Sequence, residues 1–500
     1  MNKVILFNPK SAVAKHRIPN SIMNIAASIE GLYEWTIVDG NREHDSYEKI
    51  RSYLSTGAYR YIGITVMPGP QTKEAIPVSK RIKEEFPSTV IIWGGYFPTS
   101  HYKVILNSGY VDFVINGPGD NAFPKLVDAL ENDTPYELIK NIIYKTSEGQ
   151  IIKNTKEDLI EQDTLQALPY DKLNETYSIE WYLGKTYLGK KTLAYHSSIG
   201  CPFTCSFCAV VPTYEARWKA KSAQHVYNDI KYIKDKWGAD AIEFHDNNFF
   251  VSEKRTVEFA KLIKPEKMSW WGMARIDTMD KFSDESLALI REAGCRIIFF
   301  GAESGSDKVL SQLDKGGTQT GEQILRFAKR LKKFDIIPEY SFVLGVPAPT
   351  PEEVMQQIEE DISFIKKVKA VNPKTEIVLY TYSPVPTEGS DLFNEVLATG
   401  FRFPQTLEEW INPQWERFDM RKNPLTPWLK PEMIDRIRNF ETVLNGYYPT
   451  VSDIRLNNIK RKLMQVSAGI RYKINFYKYP YEIKLLQRIW KYRQPEIQGF

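Results

Sequence analysis

Five hundred residues exceed what one hydrophobic core ordinarily supports, so two or more domains are expected. Hydrophobic residues make up 42%, aromatics 13% and charged residues 26%, which excludes a mainly disordered chain. No apolar run approaches the ~18–20 residues that cross a bilayer, and the four apolar residues before Asn8 and Pro9 are too few for a secretory core. The net charge of +4 hides an uneven distribution: from Arg455 to Phe500 eleven Lys/Arg oppose two acidic residues, a net of +9, which leaves −5 for the rest. A cytoplasmic protein is expected, with contact at a membrane surface left open by that basic end.

In chain order, short β-branched runs at 4–7, 35–38, 61–65, 90–93 and 111–115 alternate with helical patterns such as 71–86 and 121–130. Strand–helix alternation on this period indicates right-handed crossovers and a doubly wound parallel sheet, an α/β fold expected over residues 1–135. Gly69, Gly94, Gly95, Gly117 and Gly119 fall where these strands end. Ligands of doubly wound sheets sit outside those ends, and glycine there admits close backbone approach, although tight turns explain the same residues. No GxGxxG is present, so a dinucleotide fingerprint is unsupported.

A linker is expected over 136–190, with a hairpin at 142–144 and 151–152. Alternation then resumes over 191–400, with strands at 193–199, 241–245, 269–274, 296–301, 340–345 and 376–381 and helices at 223–237, 284–293, 321–334 and 352–368. Six units suit a partial (β/α)6 barrel, whose working groups belong at the carboxyl ends of its strands. Residues 401–500 read as a helical, basic region.

Three of the four cysteines, Cys201, Cys205 and Cys208, lie within eight residues, directly after the first barrel strand. That clustering argues for a bound metal in a reducing compartment rather than a disulfide framework. Three thiolates at these spacings can hold one corner of a 4Fe–4S cluster and leave one iron open to a chelating ligand. A structural zinc site would need a fourth ligand; His196 lies on the strand side and Cys295 is remote. Cys295, beside Gly294, reads as a small buried hydrophobe.

The CxxxCxxC pattern with Phe207 before the third cysteine resembles the radical S-adenosylmethionine superfamily. Later strand ends are similar in order: Phe244-His-Asp246-Asn-Asn-Phe249, Met273-Ala-Arg275-Ile-Asp277, Gly301-Ala-Glu303-Ser304-Gly305, Phe342-Val-Leu-Gly345, and Ser383-Pro-Val-Pro386-Thr-Glu-Gly389. The resemblance implies that Cys201, Cys205 and Cys208 hold the cluster and that S-adenosylmethionine chelates its open iron. Phe207, Asp246, Arg275, Gly301, Glu303, Ser304 and Gly345 are then expected around that cofactor. Glu303 would take the ribose hydroxyls and Arg275 the carboxylate, unless Arg275 pairs with Asp246 instead. Phe249 is expected to pack, and His245 is a weaker candidate for substrate contact.

The N-terminal stretch Gly94-Gly95-Tyr-Phe97-Pro-Thr99 with Gly117-Pro-Gly119-Asp120 is similar to the cobalamin-binding domain fused to many of these enzymes. It departs from the family pattern at Phe97, where histidine is usual, and at the acidic run. No D-x-H-x-x-G is present, and His16, His44 and His101 lie in other contexts. Thr65, Gly69, Gly94, Gly95, Thr99, Gly117 and Gly119 are the expected cobalamin contacts.

This resemblance covers residues 1–400 and implies a methyltransferase acting on an unactivated carbon through a 5′-deoxyadenosyl radical and methylcobalamin. Rearrangement, oxidation or cyclisation without net methylation is the alternative; a cobalamin sensor is a third, disfavoured by the intact cysteines. An external donor of the flavodoxin or ferredoxin type is implied. Trp270, Trp271 and Tyr382 could line a small-molecule or lipid-like substrate site. In the tail, Lys460, Arg461 and Lys462 precede Arg471, Lys473 and Lys478; then Lys484, Arg488 and Lys491 share one helix face, and Ile483, Leu486 and Trp490 another. A membrane interface, packing on the barrel and nucleic acid all suit such a segment, nucleic acid least.

Overall fold

The computed structural model describes residues 2–11, 17–314, 319–387, 390–415, 426–449 and 456–490. His16, Gly389 and Lys491 lie outside the described residues.

The first sheet holds seven strands: β1 (Lys3–Asn8), β2 (Trp35–Asp39), β3 (Tyr59–Thr65), β4 (Val90–Gly94), β5 (Phe113–Ile115), β6 (Ile142–Lys145) and β7 (Ile151–Lys153). Their order is β2-β1-β3-β4-β5-β6-β7. The first five are parallel, and the β6–β7 hairpin continues the sheet antiparallel from β5. Alternation along β1 explains the double covering. Val4 and Leu6 enter one apolar core while Ile5 and Phe7 enter the other, so the strand reads as an unbroken apolar run. The strand order reverses between β1 and β3, and there Ser21 and Thr65 join their hydroxyls at 3.1 Å. That switch point is where such sheets form a crevice.

The second unit is the expected partial barrel. β8 (Thr192–Tyr195), β11 (Ala241–Phe244) and β12 (Ser269–Trp271) form one parallel sheet, with β11 central; β9 (Ser198–Gly200) and β10 (Trp218–Ala220) form an antiparallel ribbon beside the cysteine loop. β13 (Met273–Ala274), β14 (Ile297–Glu303), β15 (Ile337–Leu344) and β16 (Glu376–Thr381) form the other parallel sheet. The two meet at Gly272, whose carbonyl accepts from the Phe299 N–H at 3.1 Å. Five barrel helices start on a hydroxyl cap: Ser222, Ser252, Ser283, Thr320 and Thr350 each accept from a backbone N–H in the first turn.

Two expected strands are each divided. The run 193–199 breaks after Tyr195, because the buried Asp246 carboxylate accepts from Ser197 N–H at 2.9 Å and from the Ser198 hydroxyl at 2.6 Å, bending the chain there. The run 269–274 breaks at Gly272. Beyond the barrel, helices Pro431–Tyr447, Asn458–Lys473 and Tyr481–Trp490 pack on its outside through Phe440, Met464, Ala468 and Ile483. No described helix is long and apolar enough to cross a membrane.

Candidate active site

The carboxyl edge of the first sheet faces the barrel. Arg17, after β1, reaches the Glu243 carboxylate on β11 at 2.7 Å, and the Asn20 amide donates to the Ala194 carbonyl on β8 at 3.1 Å. On the same edge a Cβ on Gly117, after β5, would lie 3.0 Å from the Thr213 carbonyl. The Lys156 ammonium donates to the Pro212 and Thr213 carbonyls. Pro212 and Thr213 lie in the short helix Val210–Tyr214 that follows the cysteine loop. The cysteine loop is thus set between the two units.

All four cysteines are free thiols. Cys205 is buried, Cys201 and Cys208 are half-buried, and the Cys208 N–H donates to the Cys205 carbonyl at 3.1 Å, folding the loop. Burial raises the Cys201 thiol's pKa above its ordinary value, with the neighbouring Cys205 adding to the rise and Arg275 opposing it. Among the described residues no three His, Cys, Asp or Glu side chains are already gathered as a preformed metal cage. The donor set nevertheless suits an iron–sulfur cluster, because three free thiols sit on one loop with a cation at its centre.

That cation is Arg275. Its guanidinium donates to Cys205 Sγ at 3.0 Å and forks onto Asp277 at 2.9 and 2.7 Å, while Phe203 lies 3.9 Å from it. Asp246, the alternative partner, is committed to Ser197 and Ser198, and its second oxygen has no hydrogen-bond partner among the described residues. The Arg255 guanidinium also donates to the Ser197 hydroxyl, at 2.6 Å.

Glu303 ends β14 at φ +63°, a left-handed conformation that is costly for a non-glycine residue and clusters at working sites. Its carboxylate lies 3.5 Å from the Ser341 hydroxyl. Ser304 faces the framework: its hydroxyl donates to Asp361 at 2.7 Å, as does the Gly305 N–H at 2.8 Å. The Gly301 carbonyl accepts from Gln319 at 3.1 Å. Gly345, at φ +78°, offers its carbonyl to the Trp428 indole at 2.9 Å, and a Cβ there would strike Leu429 at 2.7 Å. Phe207 is buried in the main core.

On the N-terminal side the Thr99 hydroxyl donates to the Gly95 carbonyl at 3.0 Å and accepts from the Gly117 N–H at 3.1 Å, tying two glycine turns together. Gly69, at φ +85°, caps the helix after β3, while Gly94 ends β4. A Cβ on Gly119 would meet Ile25 at 2.8 Å. The same edge carries two buried polar atoms with no hydrogen-bond partner among the described residues, Ser100 Oγ and Asn116 Oδ1. Such orphans fit a large polar ligand laid over the strand ends. Phe97 packs against Trp410 and His101, and burial drives the His101 pKa down to about 3.

Three residues at the site escape motif reading. Glu339 on β15 accepts from the Trp271 indole at 3.1 Å, and burial raises its pKa well above the carboxylate range. Its neighbour Glu243 is held by Arg17 and stands 3.4 Å from His245. Trp428 covers Gly345. The signal for Glu339 was present: Glu339 and Ser341 alternate with apolar residues, placing polar groups on the lumen face. Trp271 joins that lumen, whereas Trp270 is fully buried in the core and donates to the Ala293 carbonyl at 2.9 Å.

Residues 195–365 match the family model described as the Radical SAM superfamily, and residues 13–127 match the B12 binding domain. The chain is a cobalamin-binding radical S-adenosylmethionine enzyme. Its cofactors are a 4Fe–4S cluster, S-adenosylmethionine and cobalamin. An uncharacterized methyltransferase of Pyrococcus horikoshii is 27% identical over 73% of this chain and 78% of its own length. The anaerobic magnesium-protoporphyrin IX monomethyl ester cyclase of Rubrivivax gelatinosus is 25% identical over 83% of this chain and 70% of its own. The cobalamin-dependent S-adenosylmethionine radical enzyme OxsB, solved with aqua-cobalamin, shares the fold at a TM-score of 0.71 and 15% identity, over 95% of this chain and 72% of that one.

Proposed function

We propose that this radical S-adenosylmethionine enzyme methylates an unactivated carbon of a small or lipid-like molecule. The observation that carries the reading is the opposition of the two units, with the cysteine loop and the orphaned polar edge of the first sheet on the same interface. Cys201, Cys205 and Cys208 hold the cluster, and Arg275, locked by Asp277, positions Cys205. Glu303 meets the ribose, while Phe207, Gly301 and Gly345 border the adenine; Ser304 and Asp246 act indirectly, by fixing the turns around them. Thr65, Gly69, Gly94, Gly95, Thr99, Gly117 and Gly119 would hold cobalamin. When bound, the cluster supplies the electron that cleaves S-adenosylmethionine, and cobalamin carries the methyl group. An external donor of the flavodoxin or ferredoxin type would supply electrons to the cluster. Trp271, Glu339 and His245 face the substrate in the lumen, where Glu339 holds a proton near neutrality.

Reaction without net methylation is the second reading, favoured by the cyclase relative that spans 83% of this chain. Anaerobic turnover on an extract of the source cells separates them. S-adenosylhomocysteine formed in proportion to a product heavier by one methyl group supports methylation, whereas a product lacking that mass supports the alternative.

The C-terminal helices further suit a membrane surface. On helix Asn458–Lys473, Ile459, Leu463, Val466 and Ile470 are 57–73% exposed and share one face, opposite Met464, Ala468 and Tyr472, which pack inward. At about 100° per residue, Lys460 and Arg471 flank this apolar stripe on one side and Lys462 and Lys473 on the other. Leu485 and Ile489 extend exposed apolar surface onto the last helix. Apolar stripes bordered by lysine and arginine lie in anionic interfaces, the stems buried and the charges at headgroup level. Flotation with vesicles containing phosphatidylserine tests this: Leu463→Gln/Ile470→Gln should lose most binding, and unchanged flotation removes the idea.

A further inference from the structure

At the base of the barrel, a cavity of about 700 Å³ opens between the amino ends of the strands and the C-terminal helices. Ser269, Ile297, Ile337 and Thr375 mark it as the amino end, because each lies at the start of, or just before, its strand. β15 is eight residues long, which separates this base from the cysteine-loop end by roughly 25 Å at about 3.3 Å per residue. Barrels of this kind work at their carboxyl ends, so the radical chemistry does not account for the composition of the base.

That composition is cationic. Arg291, Arg296, Lys369, Lys374 and Arg461 line the cavity, against Asp335 as the one lining carboxylate among the described residues. Asp335 is occupied by Arg291 and Lys374, at 2.8 and 2.7 Å. Among the described residues the side chains of Arg296 and Arg461 have neither an ion-pair nor a hydrogen-bond partner, and Arg461 Nε is buried. Lys369 is buried against carbonyls alone, those of Pro373 and Thr375 at 2.6 Å each, with its ammonium over the Tyr448 ring. Burial lowers its pKa to about 7, opposed by the nearby Glu376. The Thr375 side chain is wholly buried, and its hydroxyl has no partner among the described residues.

An unpartnered buried hydroxyl, the half-buried Arg461 and the exposed Arg296 converge on one cavity with no anionic partner among the described residues. Carboxylates would be matched by one fork, but three separate elements converge here: the segment before β14, the segment before β16 and helix Asn458–Lys473. Phosphate, with three or more oxygens, accepts from all of them at once. We propose that this cavity is a binding site for a phosphate-bearing anion, separate from the catalytic mouth. The same chemistry is offered by a free phosphate compound and by a phospholipid headgroup, and the helix that supplies Arg461 also carries the exposed apolar stripe.

Isothermal titration of the full-length protein with inorganic pyrophosphate and with dihexanoyl phosphatidic acid tests it. The wild type should bind at least one probe, and Arg296→Gln/Arg461→Gln should weaken that binding about tenfold or more, with Thr375→Val a smaller loss. Arg461→Lys should restore part of it. Binding of pyrophosphate identifies a free phosphate site, and binding of the lipid alone identifies a headgroup site. Equal affinities in wild type and double variant, or no binding of either probe by the wild type, overturns the proposal. These variants leave the cysteine loop and the apolar stripe untouched, so their outcome is independent of the methylation and membrane readings.

Discussion

At position 275 one guanidinium spans two tasks: it forks onto Asp277 and donates to the buried Cys205 sulfur. Removing a group that orients a metal ligand ordinarily costs 10–100-fold in affinity or activity. Arg275→Gln should therefore lower cluster occupancy and 5′-deoxyadenosine release by roughly tenfold or more, read as iron per chain and as product. His101 gives a second test. Burial among Phe97, Phe403 and Trp410 holds it neutral, with its pKa driven to about 3. The unfolded chain takes up that proton below about pH 6.5, so stability is full above this value and falls as pH drops toward the folded pKa. His196 carries the same sign. His101→Phe should lose less stability than wild type between pH 7.5 and 5, measured as the urea midpoint. At this scale the sequence singles out the cysteines, Arg275 and Glu303 as candidates because each belongs to a short motif at a strand end. It does not single out Arg17, since its partner Glu243 is 226 residues away and only the docked fold brings them together.

Elements were legible wherever their pattern was local. The short β-branched runs marked the parallel strands, and the amphipathic stretches marked the barrel helices. The division of the first barrel strand was hidden, because Asp246 reaches back 48 residues to bend it at Ser198. The two-faced helix Asn458–Lys473 was hidden for another reason: lysines and arginines interrupt its apolar stripe along the sequence, and no element among the described residues covers that stripe. Packing at Gly305 gives a test at this scale. A Cβ there would lie 2.1 Å from Phe364 Cγ, and the Gly305 N–H is held by Asp361. Gly305→Ala should cost about 1–3 kcal/mol by overpacking, seen as a lower unfolding midpoint with the cysteine loop intact.

Across the whole molecule, the first sheet and the barrel share one continuous apolar core, and Arg17, Asn20 and Lys156 add polar contacts where they meet. Arg17→Gln leaves a buried carboxylate beside Glu339, whereas Glu243→Gln leaves the less buried Arg17 guanidinium, so Arg17→Gln should impair turnover more. Two domains were evident from length and strand count, but their orientation was not, because it rests on long-range contacts, polar and apolar, between residues far apart in the chain. The most direct measurement is release of 5′-deoxyadenosine by anaerobically reconstituted protein given reductant and S-adenosylmethionine. Wild type is predicted to release it and Cys205→Ala to release none; undiminished release by Cys205→Ala would contradict the assignment.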